Sequence, residues 1–117
     1  MKNEEYISLL EQKEVRERIK EKIREVINKV IKDKEVSYTY LLYIDPKGNT
    51  NIKRTQIGGF LEEDFDYCFI RDFDITNTDF ELYLENLDKC VDYDIDLVID
   101  ILNQEIYYEQ QEKEEIK

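Results

Sequence analysis

Three aspartates at alternate positions, Asp92, Asp94 and Asp96, have a spacing that suggests a chemical role. Alternating aspartates begin the calcium-binding loop of an EF-hand, where carboxylate oxygens coordinate the ion. That loop also needs glycine at its sixth position and glutamate at its twelfth, but this chain has Leu97 and Asn103 there. The pattern therefore predicts a helix cap with solvated charge and no metal site.

Other candidates for catalysis lack the residues that would activate them. The chain has no histidine, which is the commonest general base, so neither Cys68 nor Cys90 has an imidazole to make it a nucleophile. A glycosidase holds two carboxylates in a sugar-sized cleft, and a chain of 117 residues with no Trp offers little platform for one. We therefore expect no enzymatic activity, no cofactor and two buried free thiols.

The distribution of charge is the most unusual feature of the sequence. In the stretch 62–100, fourteen acidic residues are offset only by Arg71 and Lys89. Residues 1–60 carry 13 Lys/Arg and 10 Asp/Glu, whereas residues 61–117 carry 4 and 19. Because the acidic half would repel phosphate, we expect no direct binding of nucleic acid or of an anionic membrane surface. A basic protein is the expected partner.

The amino-terminal third has the periodicity of a helix over residues 8–33, with Ser8-Leu9-Leu10-Glu11 as a capping box, although Asn3 could start the helix earlier. Its apolar stripe packs either on the sheet of the same domain or on a second copy in a homodimer. In that second case the interface would consist of Val15, Ile19, Ile23 and Val26.

The middle of the chain predicts three strands. Residues 36–44 alternate in the manner of an inner strand, Asp45-Pro46-Lys47-Gly48 predicts a turn, and residues 50–57 predict a polar edge strand. Residues 65–73 alternate as a third strand, with Phe65, Tyr67, Phe69 and Phe73 on one side. Arg71 falls on that aromatic side, where it would stack on a ring or pair with a carboxylate. A simple meander would place the second strand in the middle, whereas composition favours the first, so the strand order stays open.

Two helices are predicted to follow. Thr78-Asp79-Phe80-Glu81 predicts a capping box, and the apolar stripe after it continues as far as Ile106. Asp94 falls within that stripe, where an ionised carboxylate is costly, so we predict a break near 92–94 and a second helix to about Gln110. The predicted fold is one α+β domain, residues 1–117, in the order α-β-β-β-α-α, with an antiparallel sheet and frayed ends at 1–7 and 111–117.

The acidic residues of the second half are the candidate binding site. Like charges three or four positions apart oppose helix formation, and Asp is a weak helix former, so local stability does not account for them. A single row of this kind carries one charge per about 6 Å, and duplex DNA one per about 1.7 Å, so mimicry of DNA needs several rows. The predicted partner-binding residues are Asp66, Asp72, Asp74, Glu81, Glu85, Asp88, Asp92, Asp96 and Asp100, with Tyr67, Tyr83 and Tyr93 supplying contact area.

Two functions fit these features. The first is a cytoplasmic inhibitor that docks its acidic face on the basic groove of a nucleic-acid-processing protein or nuclease, as anti-CRISPR, anti-restriction and nuclease-immunity proteins do. The second is an assembly or regulatory module, with the first helix as its interface and the acids serving only solubility. The apolar runs are too short to span a membrane, and the amino terminus lacks the apolar core of a secretory signal, so a cytoplasmic location is expected.

Overall fold

A computed structural model describes residues 3–33, 38–56, 59, 61, 66–74 and 79–115. The predicted α+β class and the order α-β-β-β-α-α are confirmed. Residues 36, 37, 57, 62–65 and 75–78, which belong to the predicted strands, acidic stretch and capping box, lie outside the described residues. The elements are α1 (Asn3–Glu11), α2 (Lys13–Asp33), β1 (Tyr38–Ile44), β2 (Thr50–Gln56), β3 (Cys68–Phe73), α3 (Phe80–Glu85) and α4 (Leu87–Glu115).

The amino-terminal helical region starts at Asn3 and is interrupted at Gln12, so Ser8 lies inside α1 and its predicted role as a cap is wrong. At the interruption the Gln12 backbone N–H donates to the Leu9 carbonyl at 3.1 Å. The Arg16 side chain donates from Nε to the Leu10 carbonyl at 2.7 Å, which satisfies an acceptor at the end of α1.

The sheet is antiparallel and has the order β2-β1-β3. The inner position of β1 and the edge position of β2 are therefore confirmed, and the simple meander is excluded. The predicted turn is also confirmed, because the Gly48 N–H donates to the Asp45 carbonyl at 2.9 Å. The Asp45 carboxylate accepts from the backbone N–H groups of Lys47 and Asn49, each at 3.0 Å. Gly48 has φ of 83°, a conformation that glycine adopts without strain.

A bulge in β3 changes which of its side chains face the helices. Leu42 pairs with Arg71 but the next residue, Tyr43, pairs with Phe69, so Ile70 is the extra residue. One extra residue reverses the alternation of faces. As a result Phe69 is 43% exposed and Phe73 is 0% exposed, and the prediction that both share one face of the strand is wrong.

The carboxy-terminal helices break at Asn86, not near 92–94 as predicted. The N–H of Asn86 and its side-chain amide both donate to the Leu82 carbonyl, at 3.2 and 3.1 Å, and α3 ends there. Asp79 caps α3, because its Oδ1 accepts from the Leu82 N–H at 3.1 Å. The second helix, α4, runs without interruption through residues 92–94 to Glu115, past its predicted end near Gln110.

The hydrophobic core lies between the helices and one face of the sheet. That face is formed by Tyr40, Leu42 and Ile44 of β1 and by Phe73 of β3. The stripe of α2 packs against it, with Val15, Ile19, Ile23 and Val26 all buried in the core of their own chain. Among the described helices, none has a stretch that is both long enough and apolar enough to cross a membrane.

Candidate protein-binding surface on the last helix

Asp94 lies on the core side of α4 and is held there by two hydrogen bonds from other elements. Its Oδ2 accepts from Nη1 of Arg71 and from the Tyr83 hydroxyl, each at 2.8 Å. The Arg71 guanidinium carbon lies 4.9 Å from the ring centroids of both Phe73 and Tyr83. The prediction that Arg71 stacks on a ring or pairs with a carboxylate is thus confirmed, and α4 continues through Asp94 because its charge has a partner.

The pKa shifts around Asp94 follow from this pairing. Burial alone would lower the pKa of Arg71, but the hydrogen bond and charge of Asp94 outweigh it and raise the pKa. Burial raises the pKa of Tyr83, and the Asp94 carboxylate raises it further. Tyr83 is therefore a neutral core residue, and the structure does not place it on the surface with the other candidate binding residues.

Three of the predicted binding aspartates face α2. Arg16 pairs with Asp92 at 3.3 Å and with Asp96 at 2.9 Å. Lys20 lies with its Nζ 3.4 Å from Asp88 and 3.5 Å from Asp92. Burial alone would lower the pKa of Lys20, but these carboxylates raise it. Much of the negative charge of Asp88, Asp92 and Asp96 is thus balanced by Arg16 and Lys20 of the same chain.

The sequence analysis missed the two bases that balance these aspartates. The signal was present, because Arg16 and Lys20 lie four positions apart and follow directly after two stripe residues, Val15 and Ile19. Residues beside an apolar stripe lie at the rim of the helix contact, where they reach the neighbouring helix. Which helix would be the neighbour could not be read from the sequence.

The solvent side of α4 carries large apolar side chains. Tyr93 is 64% exposed, Leu97 43% and Ile101 54%, and they recur every four residues, so they form one row. Asp100 is exposed beside this row, and no ion pair joins it to another described residue. We call Tyr93, Leu97, Asp100 and Ile101 the α4 outer face. Two more exposed tyrosines, Tyr107 and Tyr108, follow along the same helix.

Sequence reasoning identified Tyr93 and Asp100 of the α4 outer face but missed Leu97 and Ile101. Both are large apolar residues that fall outside the stripe of Ile95, Val98 and Leu102. Their position off the stripe was the available signal. A helix with large apolar residues outside its core face either packs against a second element or leaves an apolar surface exposed.

The remaining predicted binding residues lie on several elements. Glu81 and Glu85 are exposed on α3, and Asp72 is exposed on β3. Asp66 is exposed before β3, and Asp74 is half-buried after it. Tyr67 packs edge-on against Tyr43, with ring centroids 5.8 Å apart.

The alternating aspartates do not converge on one point. Asp92 and Asp96 face Arg16, whereas Asp94 faces Arg71. Within the ranges that the structure describes, no group of three or more carboxylates and thiols is placed to hold a metal ion. Both cysteines are free thiols, with Cys68 buried and Cys90 half-buried.

Comparison with protein-family models, with curated proteins and with solved structures finds no match for this chain. A functional assignment therefore depends on the geometry of the described surfaces.

Proposed function

We propose that this protein is a small acidic inhibitor that docks the α4 outer face on a basic surface of a nucleic-acid-binding protein and so blocks its nucleic-acid site. One observation carries the proposal. Tyr93, Leu97 and Ile101 are exposed in a row on a chain whose net charge is −12. Protein interfaces combine an apolar and aromatic centre with a polar rim, and this surface has that composition.

The apolar row argues against a purely solubilising role for α4. Solubility favours charged residues over Leu, Ile and Tyr at exposed helix positions. A row of three large apolar side chains at such positions is typical of a surface that binds another protein. The negative field around the row favours a positively charged partner and would speed its association. The same field repels phosphate, so the partner is a protein and not the nucleic acid itself.

The charge balance supports docking of an apolar patch more than imitation of the DNA backbone. Imitation needs several unbalanced rows of negative charge. Asp88, Asp92 and Asp96 are instead interleaved with Arg16 and Lys20. The contact we propose therefore moves from the predicted row of aspartates to the adjoining α4 outer face.

A homodimer through the first helix has less support. Its proposed interface residues, Val15, Ile19, Ile23 and Val26, fill the core of their own chain and could reach a second copy only if the fold opened. Two copies meeting through the α4 outer face would bring like charges together, which costs free energy.

The test compares two double variants of equal chemistry. Leu97→Ser with Ile101→Ser removes two apolar side chains from the α4 outer face without changing charge. Ile31→Ser with Leu82→Ser removes two exposed apolar side chains, 39% and 55% exposed, from α2 and α3. Circular dichroism first establishes that both variants are folded.

Immobilised wild-type protein is then exposed to nuclease-treated host lysate at physiological salt. We expect it to retain a nucleic-acid-binding protein that added duplex DNA displaces. The Leu97/Ile101 variant should retain at least tenfold less, since two hot-spot side chains contribute about 1 kcal/mol or more each, and the control should match wild type. Equal retention by both variants, or retention that DNA does not displace, would contradict the proposal. So would sedimentation showing a wild-type dimer that only the Leu97/Ile101 variant loses.

A further inference from the structure

A cleft of about 450 Å³ opens between α1, β3 and α4 and adjoins the α4 outer face. Two exposed apolar side chains line it, Phe69 of β3 at 43% and Ile101 of α4 at 54% exposure, and Ile101 belongs to both surfaces. The buried side chains of Ile70, Val98 and Leu102 line it as well. The apolar surface of α4 is thus extended sideways across the cleft as far as the sheet.

The apolar surface also continues along α4. Tyr108 follows Ile101 by seven residues, so it falls in the row of the α4 outer face and is 63% exposed. At 1.5 Å per residue the row from Tyr93 to Tyr108 is about 22 Å long. The described side chains of residues 107–113 are all exposed, so no described element covers the end of the row.

Carboxylates flank this row on both sides. At about 100° per residue, Asp100 lies on one side of it, and Glu105 and Glu112 lie on the other. All three are exposed, and no ion pair joins any of them to another described residue. Glu105 also lines the cleft, where Asn3 donates from Nδ2 to its Oε2 at 2.8 Å and leaves its charge in place. The described lining of the cleft contains no Lys or Arg.

We propose that this surface binds an amphipathic basic α-helix of the partner protein, which lies along α4 and inserts an apolar side chain between Phe69 and Ile101. A helix carries apolar side chains at the three- and four-residue spacing of the α4 row, and two helices pack with their axes about 8–10 Å apart. Lys and Arg beside the apolar stripe of the partner's helix would lie opposite the flanking carboxylates.

The length of the row favours a helix over a small molecule, because about 22 Å corresponds to about four helical turns. The negative flanks exclude an acidic helix, since like charges across a contact cost free energy. The inference deepens the proposed function and rests on it for the identity of the partner. Recognition of the helix itself can be measured without that partner.

The probe is a synthetic peptide of about 15 residues, the length of the row. It has Leu at the first and fourth positions of each heptad, Lys at the fifth and seventh, and Ala and Gln elsewhere. One control peptide has the same composition in a permuted order that forms no apolar face. A second control has Glu in place of each Lys.

Each peptide is titrated into ¹⁵N-labelled protein at physiological salt, and the amide chemical shifts are followed. We expect saturable shifts at Phe69, Leu97 and Ile101 with the basic amphipathic peptide. The permuted peptide should bind at least tenfold more weakly, because it cannot present its apolar side chains together, and the acidic peptide should not bind.

Phe69→Ser tests the cleft separately, because Phe69 does not belong to the α4 outer face. It should weaken binding of the basic amphipathic peptide at least fivefold. Leu82→Ser is the matched control, since Leu82 is 55% exposed on α3 and does not line the cleft, and it should leave binding unchanged. Circular dichroism establishes that both variants are folded.

Asp100→Asn with Glu105→Gln gives a second measurement that leaves the apolar side chains in place. It should weaken binding severalfold and reduce its dependence on salt, because two of the flanking charges are removed. Glu81→Gln with Glu85→Gln removes two exposed charges from α3, outside the cleft, and should leave binding unchanged.

Equal binding of the basic amphipathic and permuted peptides would overturn the inference, because it would show attraction of positive charge alone. So would a lack of binding, shifts centred on α2, or unchanged binding by folded Phe69→Ser. If the peptide binds as expected but the immobilised protein retains no nucleic-acid-binding protein, helix recognition stands and the proposed function fails. If retention of such a protein depends on Leu97 and Ile101 but not on Phe69, the proposed function stands and this inference fails.

Discussion

Replacing Asp94 by alanine removes the group that joins α4 to β3 and α3. The Asp94 side chain is 15% exposed and that of Arg71 is 26% exposed, so the pair is shielded from water but not sealed from it. The substitution leaves the Arg71 guanidinium without the Asp94 carboxylate and the Tyr83 hydroxyl without its acceptor.

The magnitude follows from the interactions that are lost and gained. Removing one partner of a buried ion pair costs about 3–5 kcal/mol. Partial exposure of Arg71 reduces this cost, and its stacking on Phe73 and Tyr83, worth about 1 kcal/mol, is retained. Alanine also favours the helix over aspartate by about 0.5 kcal/mol. The expected loss in the free energy of unfolding is therefore about 2–3 kcal/mol.

The assay is urea denaturation followed by circular dichroism at neutral pH. Asp100→Ala is the matched control, because Asp100 is an exposed aspartate of the same helix, and it should change stability by less than about 0.5 kcal/mol. Arg71→Met and the double variant complete a thermodynamic cycle, in which we expect a coupling energy of about 1–3 kcal/mol.

Two results would refute this reasoning. If Asp94→Ala costs no more than Asp100→Ala, the ion pair is not what allows the helix to pass through position 94. If the double variant loses the sum of the two single losses, Asp94 and Arg71 are not coupled, and their contact at 2.8 Å adds nothing to stability.

Three further predictions test other parts of the structure. Arg16→Met should lower the free energy of unfolding, measured by urea denaturation, by about 1–2 kcal/mol, because it removes the hydrogen bond to the Leu10 carbonyl and both ion pairs to α4. Arg18→Met, on the exposed side of α2, is the control and should change it little. Gly48→Ala should lower the melting temperature, at a cost of about 1–2 kcal/mol, because φ is 83° and a Cβ would lie 3.1 Å from a Leu9 methyl; an unchanged melting temperature would count against the turn geometry. Cys68 has its pKa raised by burial from 9.0 to about 12, so within that range the unfolded chain releases a proton that the folded chain keeps. The contribution of the neutral Cys68 thiol to the free energy of unfolding is complete below pH 9 and is lost as pH rises, by up to about 1.4 kcal/mol per pH unit. In urea denaturation, the free energy of unfolding of Cys68→Ala should therefore fall less steeply with pH above pH 9 than that of the wild type.

The elements of the fold were largely predictable because their signals are local. The stripe of α2 repeats at helical spacing, β1 alternates, and Asp45-Pro46-Lys47-Gly48 has the side chains that a turn requires. The polar composition of β2 also identified it as an edge strand, since an inner strand must bury both faces.

The errors arose where a distant residue changes the meaning of a local pattern. The bulge at Ile70 is visible only in the pairing of β3 with β1, and it exchanges the environments of Phe69 and Phe73. The predicted helix break near residues 92–94 assumed that the Asp94 carboxylate would have no partner. Arg71, which lies 23 residues away in the chain, donates a hydrogen bond to it.

The candidate site shows the same division between what the sequence determined and what the tertiary structure decided. The sequence alone determined that the second half of the chain is acidic, that its helices bear the charge and that Tyr93 and Asp100 lie among it. Only the packing of α2 against α4 decided which carboxylates are balanced, because Arg16 lies 76 residues from Asp92 in the chain. An ion pair depends on distance in space and on burial, and neither is a property of sequence spacing once the chain has turned back on itself.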